Sequence, residues 1–142
     1  MTVVAHTTKD IDLLARLMRA EAVGEGNLGM LMVGNVGINR IVGNCLDFIN
    51  IRTISEMLYQ TPGGFTGKDS PLFFGYSTSL EKRLAERVIR GETFHPSTHA
   101  LWFYAPATGE QCRSFWFNQR NSGRYKSHCF YVPAPGACPE LY

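Results

Sequence analysis

The sequence lacks the long apolar run that a membrane-spanning helix needs. No segment approaches the ~18 consecutive apolar residues of such a helix. The first residues also lack a basic leader followed by ~7–15 apolar residues, which is the pattern of a secretory signal. We therefore expect no membrane span and no signal peptide, and a protein that stays on the side of the membrane where it is synthesised.

An excess of charge of one sign is also lacking. The chain has 14 Lys and Arg against 12 Asp and Glu, a formal net charge of +2. This is too small to indicate a nucleic-acid partner, and we expect none. The basic residues of one loop-rich, aromatic stretch either attract an anionic polymer or form a solvated face; they are Arg113, Arg120, Arg124 and Lys126.

The spacings that usually hold metal ions are absent. The 4 cysteines contain no C-x-x-C pair, and no EF-hand spacing occurs. We predict no zinc and no other metal site. Free thiols are the expectation in the absence of a secretory signal, although the cysteines allow three disulfide pairings. They are Cys45, Cys112, Cys129 and Cys138.

What the sequence does have is apolar and aromatic content sufficient for a core. Hydrophobic residues make up 44% of 142 positions, with 9 Phe, 6 Tyr and 2 Trp. This composition excludes an intrinsically disordered chain. The length is that of one domain, so we predict a single domain over residues 1–142.

Helical patterns fill the first two thirds and β-prone patterns the last third. Four helices are predicted: residues 7–23, a second from an Asn27 cap to about Ile41, a short one opened by Thr53 and Glu56, and one from Thr78 to Gly91. Residues 61–76 are predicted to form a surface loop. Strands are predicted in residues 100–104, 114–117 and 127–132. Helices followed by strands indicate an α+β fold.

Glu21 is the carboxylate whose position stands out. Helical spacing places it at the margin of the apolar stripe, in the last turn of the first helix, where the helix dipole disfavours negative charge. Both features raise the pKa of a carboxyl, as the general acid of a glycosidase requires. The alternative is a rim glutamate in an ion pair with Arg16, Arg19 or another arginine.

Several segments resemble the SleB/CwlJ cell-wall hydrolases of spore-forming bacteria. Residues 14–26 are similar to the motif of that family's first helix, and residues 29–40 to its second helix, which ends in Asn-Arg. Tyr59 and Gln60, followed by Phe65, are similar to the loop after its third helix. Residues 102–104 and 128–131 resemble its closing strands.

The resemblance implies a lysozyme-like single domain, with N-terminal helices before a small antiparallel sheet, that cleaves cortex peptidoglycan during germination. It makes Glu21 the catalytic acid/base and Glu25 a supporting carboxylate. It further implies a place in the spore coat, a GerQ-like coat partner and activation by calcium dipicolinate, with no cofactor for the chemistry. Substrate contacts in residues 61–76, including Phe65, are uncertain because that loop differs from the family's.

Substrate-binding side chains are expected on the aromatic strands. Stacking on sugars and hydrogen bonding to them are assigned to Trp102, Tyr104, Asn118, His128 and Tyr131, together with Trp116 and Gln119. About half of the aromatics must instead face the core, because side chains alternate across a strand.

A single glutamate fits a lytic transglycosylase, in which the muramic acid C6 hydroxyl is the nucleophile and one residue serves as acid and then base. Glu25, Asp47, Glu56 and Asp69 offer no clear second carboxylate for a hydrolase. Three other classes remain: a cysteine peptidase using one Cys with His95, His99 or His128, a non-catalytic coat protein, and a sugar-binding module.

Overall fold

The computed structural model describes residues 3–61 and 64–142. In chain order the helices are α1 (Thr8–Ala22), α2 (Gly26–Gly43), α3 (Ile54–Leu58) and α4 (Ser79–Ile89). The strands follow as β1 (Trp102–Tyr104), β2 (Phe115–Trp116), β3 (Gln119–Tyr125) and β4 (His128–Val132). This order confirms the predicted α+β class. Within the described residues, no helix combines the length and apolarity required to cross a bilayer.

Three of the helices begin at the capping boxes that the sequence predicts. The threonine before each helix accepts a hydrogen bond from the third helical residue, whose carboxylate accepts one in return; the pairs are Thr7 with Asp10, Thr53 with Glu56, and Thr78 with Glu81. The second helix differs from the prediction. It starts at Gly26 with Glu25 as its N-cap, so Asn27 lies inside the first turn and is not the cap.

The glycines of α2 allow other helices to approach its backbone closely. α2 is buried on nearly all sides and packs against α1 and α4. A Cβ on Gly34 would lie 2.8 Å from the Met18 sulfur and 3.0 Å from Val88. Close packing therefore offsets the helix propensity lost at this glycine.

The strands form one antiparallel sheet in the order β1-β4-β3-β2. The central strand β4 is buried along its whole length, and its Phe130 and Val132 join the core formed with the helices. The sequence analysis missed β3, because its polar residues QRNSGRY show no apolar alternation. Pairing with β4 on one side and β2 on the other makes it a strand, so Arg120 and Arg124 do not lie in a loop.

The segment between α3 and α4 is more ordered and more buried than the predicted surface loop. It contains 3₁₀ turns at Thr66–Asp69 and Pro71–Phe73, and both Phe65 and Phe73 are buried. Pro62 and Gly63, part of the predicted loop, lie outside the described residues. The side chain of Arg19 on α1 donates to four backbone carbonyls of this segment, those of Leu72, Phe74, Gly75 and Tyr76.

All four cysteines are paired, so the expectation of free thiols is wrong. Cys45 bonds to Cys138 across a sequence separation of 93, and Cys112 bonds to Cys129 across 17. No local spacing predicts the first pair, because only the fold brings the end of α2 to the C-terminal segment. Within residues 3–61 and 64–142, no group of three or more His, Cys, Asp or Glu is arranged to hold a metal ion.

Candidate active site

Glu21 lines a cleft of about 570 Å³ between the helices and the sheet. It stands in the last turn of α1, as predicted. The walls of the cleft come from α2, from the segment after α3, from strands β1 and β2 and from the start of β4. A half-buried carboxyl therefore faces a space of the size that binds small-molecule ligands in other proteins.

Burial raises the pKa of the Glu21 carboxyl. A hydrogen bond from the Gly67 backbone N–H to Glu21 Oε1, at 2.9 Å, and the positive charges of Arg40 and Lys68 oppose the rise without cancelling it. A Cβ at position 67 would lie 2.9 Å from the Glu21 carboxyl carbon, so this approach requires glycine. The carboxyl holds its proton to higher pH than a free glutamate, which suits a general acid.

The alternative pairing of Glu21 with Arg16 or Arg19 does not occur. Arg16 lies 3.4 Å from the Asp12 carboxylate, and Arg19 lies 3.0 Å from the Glu81 carboxylate. Both arginines point away from the cleft, toward the segment that precedes α4. The remaining alternative, another arginine, applies to Arg40, whose charge acts on the Glu21 carboxyl inside the cleft rather than at the surface.

Arg40 supplies the stronger of the two positive charges that act on Glu21. Its guanidinium carbon lies 4.6 Å from the ring centroid of Phe48 and 4.2 Å from that of Phe65, and its Nε donates to the Leu101 carbonyl at 2.9 Å. Burial lowers the pKa of Arg40 to about 10, and the nearby Glu21 charge opposes that change. The guanidinium therefore stays charged at neutral pH.

Aromatic side chains from the sheet form one wall of the cleft. Tyr104 and Trp116 come from strands at opposite edges of the sheet, yet their ring centroids are 4.9 Å apart, so the sheet curls around them. Trp102 also lines the cleft and lies 6.0 Å from the Phe48 ring. Flat aromatic faces beside a few polar groups are typical of small-molecule and carbohydrate sites.

His128 lines the same cleft, and Glu25 stands behind it. Glu25 Oε1 accepts a 2.9 Å hydrogen bond from the Ser127 backbone and a further one from the Ser127 hydroxyl, and it lies 3.6 Å from His128 Nδ1. Burial lowers the pKa of His128 despite Glu25, so the imidazole is neutral at neutral pH. Burial alone would raise the pKa of Glu25, but the Ser127 hydrogen bonds bring it below its usual range. This geometry agrees with a supporting carboxylate.

The structure thus brings Glu21, Trp102, Tyr104 and His128 together and leaves two predicted contacts out. Tyr131 is fully buried, and its hydroxyl donates to the Arg113 carbonyl at 2.7 Å, so the prediction that it binds substrate is wrong. The alternation of side chains along a strand does not show whether one face or both faces are covered, and β4 is covered on both.

Asn118 is the other misplaced contact. Phe117 and Asn118 have φ values of +50° and +67° in the β2–β3 turn, the conformation of a tight hairpin. This turn leaves Phe117 in the cleft and places Asn118 in a separate groove on the far side of the hairpin. The prediction that Asn118 contacts substrate in the cleft is therefore wrong.

The two neighbouring tyrosines provide a matched pair for a test. Tyr131→Ala should lower the free energy of unfolding by about 3–5 kcal/mol, because it empties a packed core position. Tyr104→Ala, in the cleft wall, should cost less stability and weaken binding to peptidoglycan, the polymer that the family resemblance implies as substrate. Denaturant unfolding and pelleting with isolated peptidoglycan measure the two effects. If Tyr104→Ala were less stable than Tyr131→Ala, the assignment of Tyr131 to the core would be contradicted.

The sequence analysis missed Arg40 and Phe48 as residues of the site and left Phe65, which also lines the cleft, uncertain. A usable signal was present: α2 is apolar on nearly all sides, yet it contains Asn35, Asn39 and Arg40, and polar side chains in a buried helix need a specific reason. The two asparagines bind the backbone before β1, at Phe94 and at Ser97 to Ala100, whereas Arg40 reaches the cleft. Asp47 also lines the cleft.

Comparison with known proteins identifies the family. The profile of the family described as Cell Wall Hydrolase matches residues 24–131. The chain belongs to the cell wall hydrolase family. The matched segment begins just after Glu21, and it includes Arg40, the aromatic wall and His128. Membership makes this protein an enzyme that degrades peptidoglycan.

Full-length relatives agree with the family profile. A cell wall hydrolase CwlJ from Oceanobacillus iheyensis is 54% identical over 142 residues, which are 100% of this chain and 99% of that protein. Those from Halalkalibacterium halodurans and Bacillus subtilis are 51% and 46% identical, each over 100% of this chain and 98% of the relative. These three alignments span all 142 residues of this cell wall hydrolase chain, including position 21.

Solved structures share the fold. The catalytic domain of the Bacillus cereus SleB protein superposes with a TM-score of 0.70 at 23% identity, covering 89% of this chain and 92% of that one. The SleB catalytic domain from Bacillus anthracis, described as a germination-specific lytic transglycosylase, gives 0.69 at 21% identity over 89% and 97%. The predicted lysozyme-like α+β fold is confirmed.

Proposed function

We propose that this cell wall hydrolase cleaves the glycan strands of spore cortex peptidoglycan, with Glu21 as general acid and then general base. The observation that carries the proposal is the half-buried Glu21 carboxyl in the cleft, with a raised pKa and a hydrogen bond from Gly67. Aromatic side chains that line the same cleft offer stacking surfaces for sugar rings.

In the proposed reaction, protonated Glu21 gives its proton to the glycosidic oxygen as the bond to the muramic acid C1 breaks. The muramic acid C6 hydroxyl then bonds to C1, and Glu21 takes the hydroxyl proton. The products are a strand with a free hydroxyl and a strand with a 1,6-anhydro end, and the carboxyl regains its starting state. Arg40 stabilises the carboxylate that exists between the two proton transfers.

Hydrolysis is the other outcome that this cleft permits. Asp47 lines the cleft with Glu21, so it is a candidate second carboxylate for activating water, although the sequence pattern offered no clear one. We favour transglycosylation, since the Bacillus anthracis domain of the same fold is described as a lytic transglycosylase.

Mass spectrometry of the fragments that the purified protein releases from cortex tests this proposal. Transglycosylation gives muramic acid ends lighter by one water than reducing ends, and these ends resist borohydride reduction. Hydrolysis gives reducible ends. Reducible muramic acid ends as the main product would overturn transglycosylation and favour hydrolysis, with Asp47 as the residue that activates water.

We also propose, from the family resemblance, that the protein acts in the spore coat with a GerQ-like partner and responds to calcium dipicolinate. The three relatives named CwlJ support the family resemblance from which this proposal is carried over. The chemistry proposed for Glu21 requires no metal or cofactor. Calcium dipicolinate would therefore act on access or conformation rather than on the bond-breaking step.

A further inference from the structure

The two disulfides have different surroundings. Cys45 and Cys138 are both buried and belong to a small second core, and we call their bond the inner disulfide. The other bond, which we call the outer disulfide, joins Cys129, buried in β4, to Cys112, which is partly exposed between β1 and β2. A dissolved thiol can therefore approach the outer disulfide without unfolding the core, whereas the inner disulfide is shielded.

The outer disulfide links the β1–β2 segment, residues 105–114, to the sheet. Within this range, which the structure describes throughout, there is no helix or strand. Beside Cys112, the Arg113 carbonyl accepts from the Tyr131 hydroxyl at 2.7 Å, and its N–H donates to the tyrosine at the end of β1 at 3.2 Å. Such hydrogen bonds add little net stability, because both groups can bond to water instead. The outer disulfide is thus the strong link between this segment and β4.

The β1–β2 segment leads directly into a wall of the cleft. The strand that follows it, β2, has 2 residues and lies at the edge of the sheet. Trp116, in this strand, and Phe117, after it, both line the cleft. At the other end of the outer disulfide, Cys129 follows His128, which also lines the cleft. The outer disulfide therefore connects β4 to the chain that enters β2, across the intervening strand β3.

The group proposed for the chemistry is held by other parts of the fold. Glu21 lies in α1, accepts its hydrogen bond from Gly67 and is acted on by the charge of Arg40 in α2. Loss of the outer disulfide would therefore loosen the aromatic side of the cleft and leave the surroundings of Glu21 in place. Such a change alters binding more than bond cleavage.

We propose that the outer disulfide is a redox-sensitive link in the wall of the cleft. Its reduction releases the β1–β2 segment, allows Trp116 and Phe117 to leave the wall and weakens glycan binding, and its reoxidation restores binding. This inference rests on the proposed function, since it takes a glycan as the ligand of the cleft.

The reductant is a dithiol, which supplies two electrons and two protons. One thiolate of the dithiol attacks the Cys112 sulfur, the sulfur–sulfur bond breaks, and Cys129 leaves as a thiolate. The second thiol of the reductant then displaces Cys112, so the dithiol ends as a cyclic disulfide and both cysteines end as thiols. A disulfide oxidant reverses the exchange.

The first experiment asks which bond is reduced and what then moves. Folded wild-type protein is treated with dithiothreitol and alkylated, and its peptides are analysed by mass spectrometry. Cys112 and Cys129 should be alkylated while the inner disulfide stays intact. Amide hydrogen exchange should then become faster in residues 105–117 and stay unchanged in α1. Reduction of the inner disulfide first, or faster exchange throughout the chain, would overturn the inference and make the outer disulfide a general stabiliser of the fold.

The second experiment measures KM and kcat on soluble glycan strands. Reduction should raise KM about tenfold, the size of one lost aromatic stacking contact, with kcat near that of the oxidised protein. Reoxidation should restore KM. The control is the double variant Cys112→Ser with Cys129→Ser, which should have the raised KM in both buffers and show no response to dithiothreitol. If this variant does not fold, the reduction and reoxidation of wild-type protein still decide the result. An unchanged KM with both cysteines reduced overturns the inference.

A binding measurement separates this inference from the proposed function. Soluble glycan strands are titrated into oxidised and reduced Glu21→Gln, with tryptophan fluorescence as the signal. If Glu21→Gln still cleaves glycan, the proposed mechanism fails, and weaker binding after reduction still supports the redox-sensitive link. Equal affinity of the oxidised and reduced forms overturns the link, whatever the role of Glu21.

Discussion

Glu21→Gln should abolish the release of cortex fragments while the protein stays folded. Glutamine keeps the shape of the side chain and can still accept the hydrogen bond from Gly67, but it has no proton to transfer. General acid catalysis typically contributes ~10²–10⁴-fold, and a group that serves as both acid and base belongs at the upper end of that range. We therefore expect a loss of about 10⁴-fold or more, measured as fragments released per unit of protein.

The same substitution should leave stability at neutral pH equal to or above that of wild type. Burial raises the pKa of Glu21 in the folded protein above its value in the unfolded chain. The contribution of Glu21 to the free energy of unfolding is therefore most favourable at pH values below the unfolded pKa. That contribution is lost as the pH rises through the folded pKa, because the carboxyl must then be ionised in a partly buried site. Glutamine avoids that cost. Thermal unfolding at pH 4 and pH 7 should show the variant gaining on wild type as pH increases.

Glu25→Gln is the matched control for this experiment. It makes the same chemical change four residues further along the chain. The Glu25 carboxylate accepts a hydrogen bond from Ser127 and lies near His128. Among residues 3–61 and 64–142, Glu25 is not one of those that line the cleft. Its effect should be milder. If Glu21→Gln releases fragments at near the wild-type rate, the glycosidic mechanism is wrong, and a non-catalytic coat or sugar-binding role becomes the better explanation.

Arg40→Met should reduce stability and move the pH dependence of activity. The substitution removes two guanidinium–ring contacts and leaves the Leu101 carbonyl without its donor, for a combined loss of roughly 3 kcal/mol in the free energy of unfolding. The positive charge of Arg40 lowers the pKa of Glu21, so its removal raises that pKa further. Glu21 must be protonated to act as an acid. The alkaline limb of kcat/KM should therefore shift to higher pH.

Arg40→Lys separates the charge from the packing. It retains a cation in the same position, so the alkaline limb should stay near that of wild type, whereas stability should fall because an ammonium lacks the planar face and the fixed donors of a guanidinium. Chemical unfolding and pH–rate profiles of all three proteins make the comparison. An alkaline limb that does not move in Arg40→Met would show that Arg40 does not act on Glu21.

The helical half of the molecule follows closely from local sequence. Thr7, Thr53 and Thr78 each open a helix with a carboxylate three residues later, because the capping box satisfies backbone groups within one turn and needs no distant partner. The position of Glu21 at the edge of an apolar stripe is equally local, since helical geometry alone fixes its direction. Both features are therefore predictable from the amino-acid sequence.

The other features of the fold and of the site depend on contacts between residues that are far apart in the chain. β3 became a strand only through its neighbours, and Tyr131 was buried because β4 lies in the middle of the sheet. The disulfide between Cys45 and Cys138, separated by 93 residues, joins elements that no spacing rule connects. Sequence by itself determined the starts of α1, α3 and α4, the α+β order and the carboxylate at the end of α1, because these depend on contacts within a few residues. Only the tertiary structure placed Gly67 and Arg40 beside that carboxylate, because a raised pKa and a closed cleft arise from burial among elements that meet only after folding.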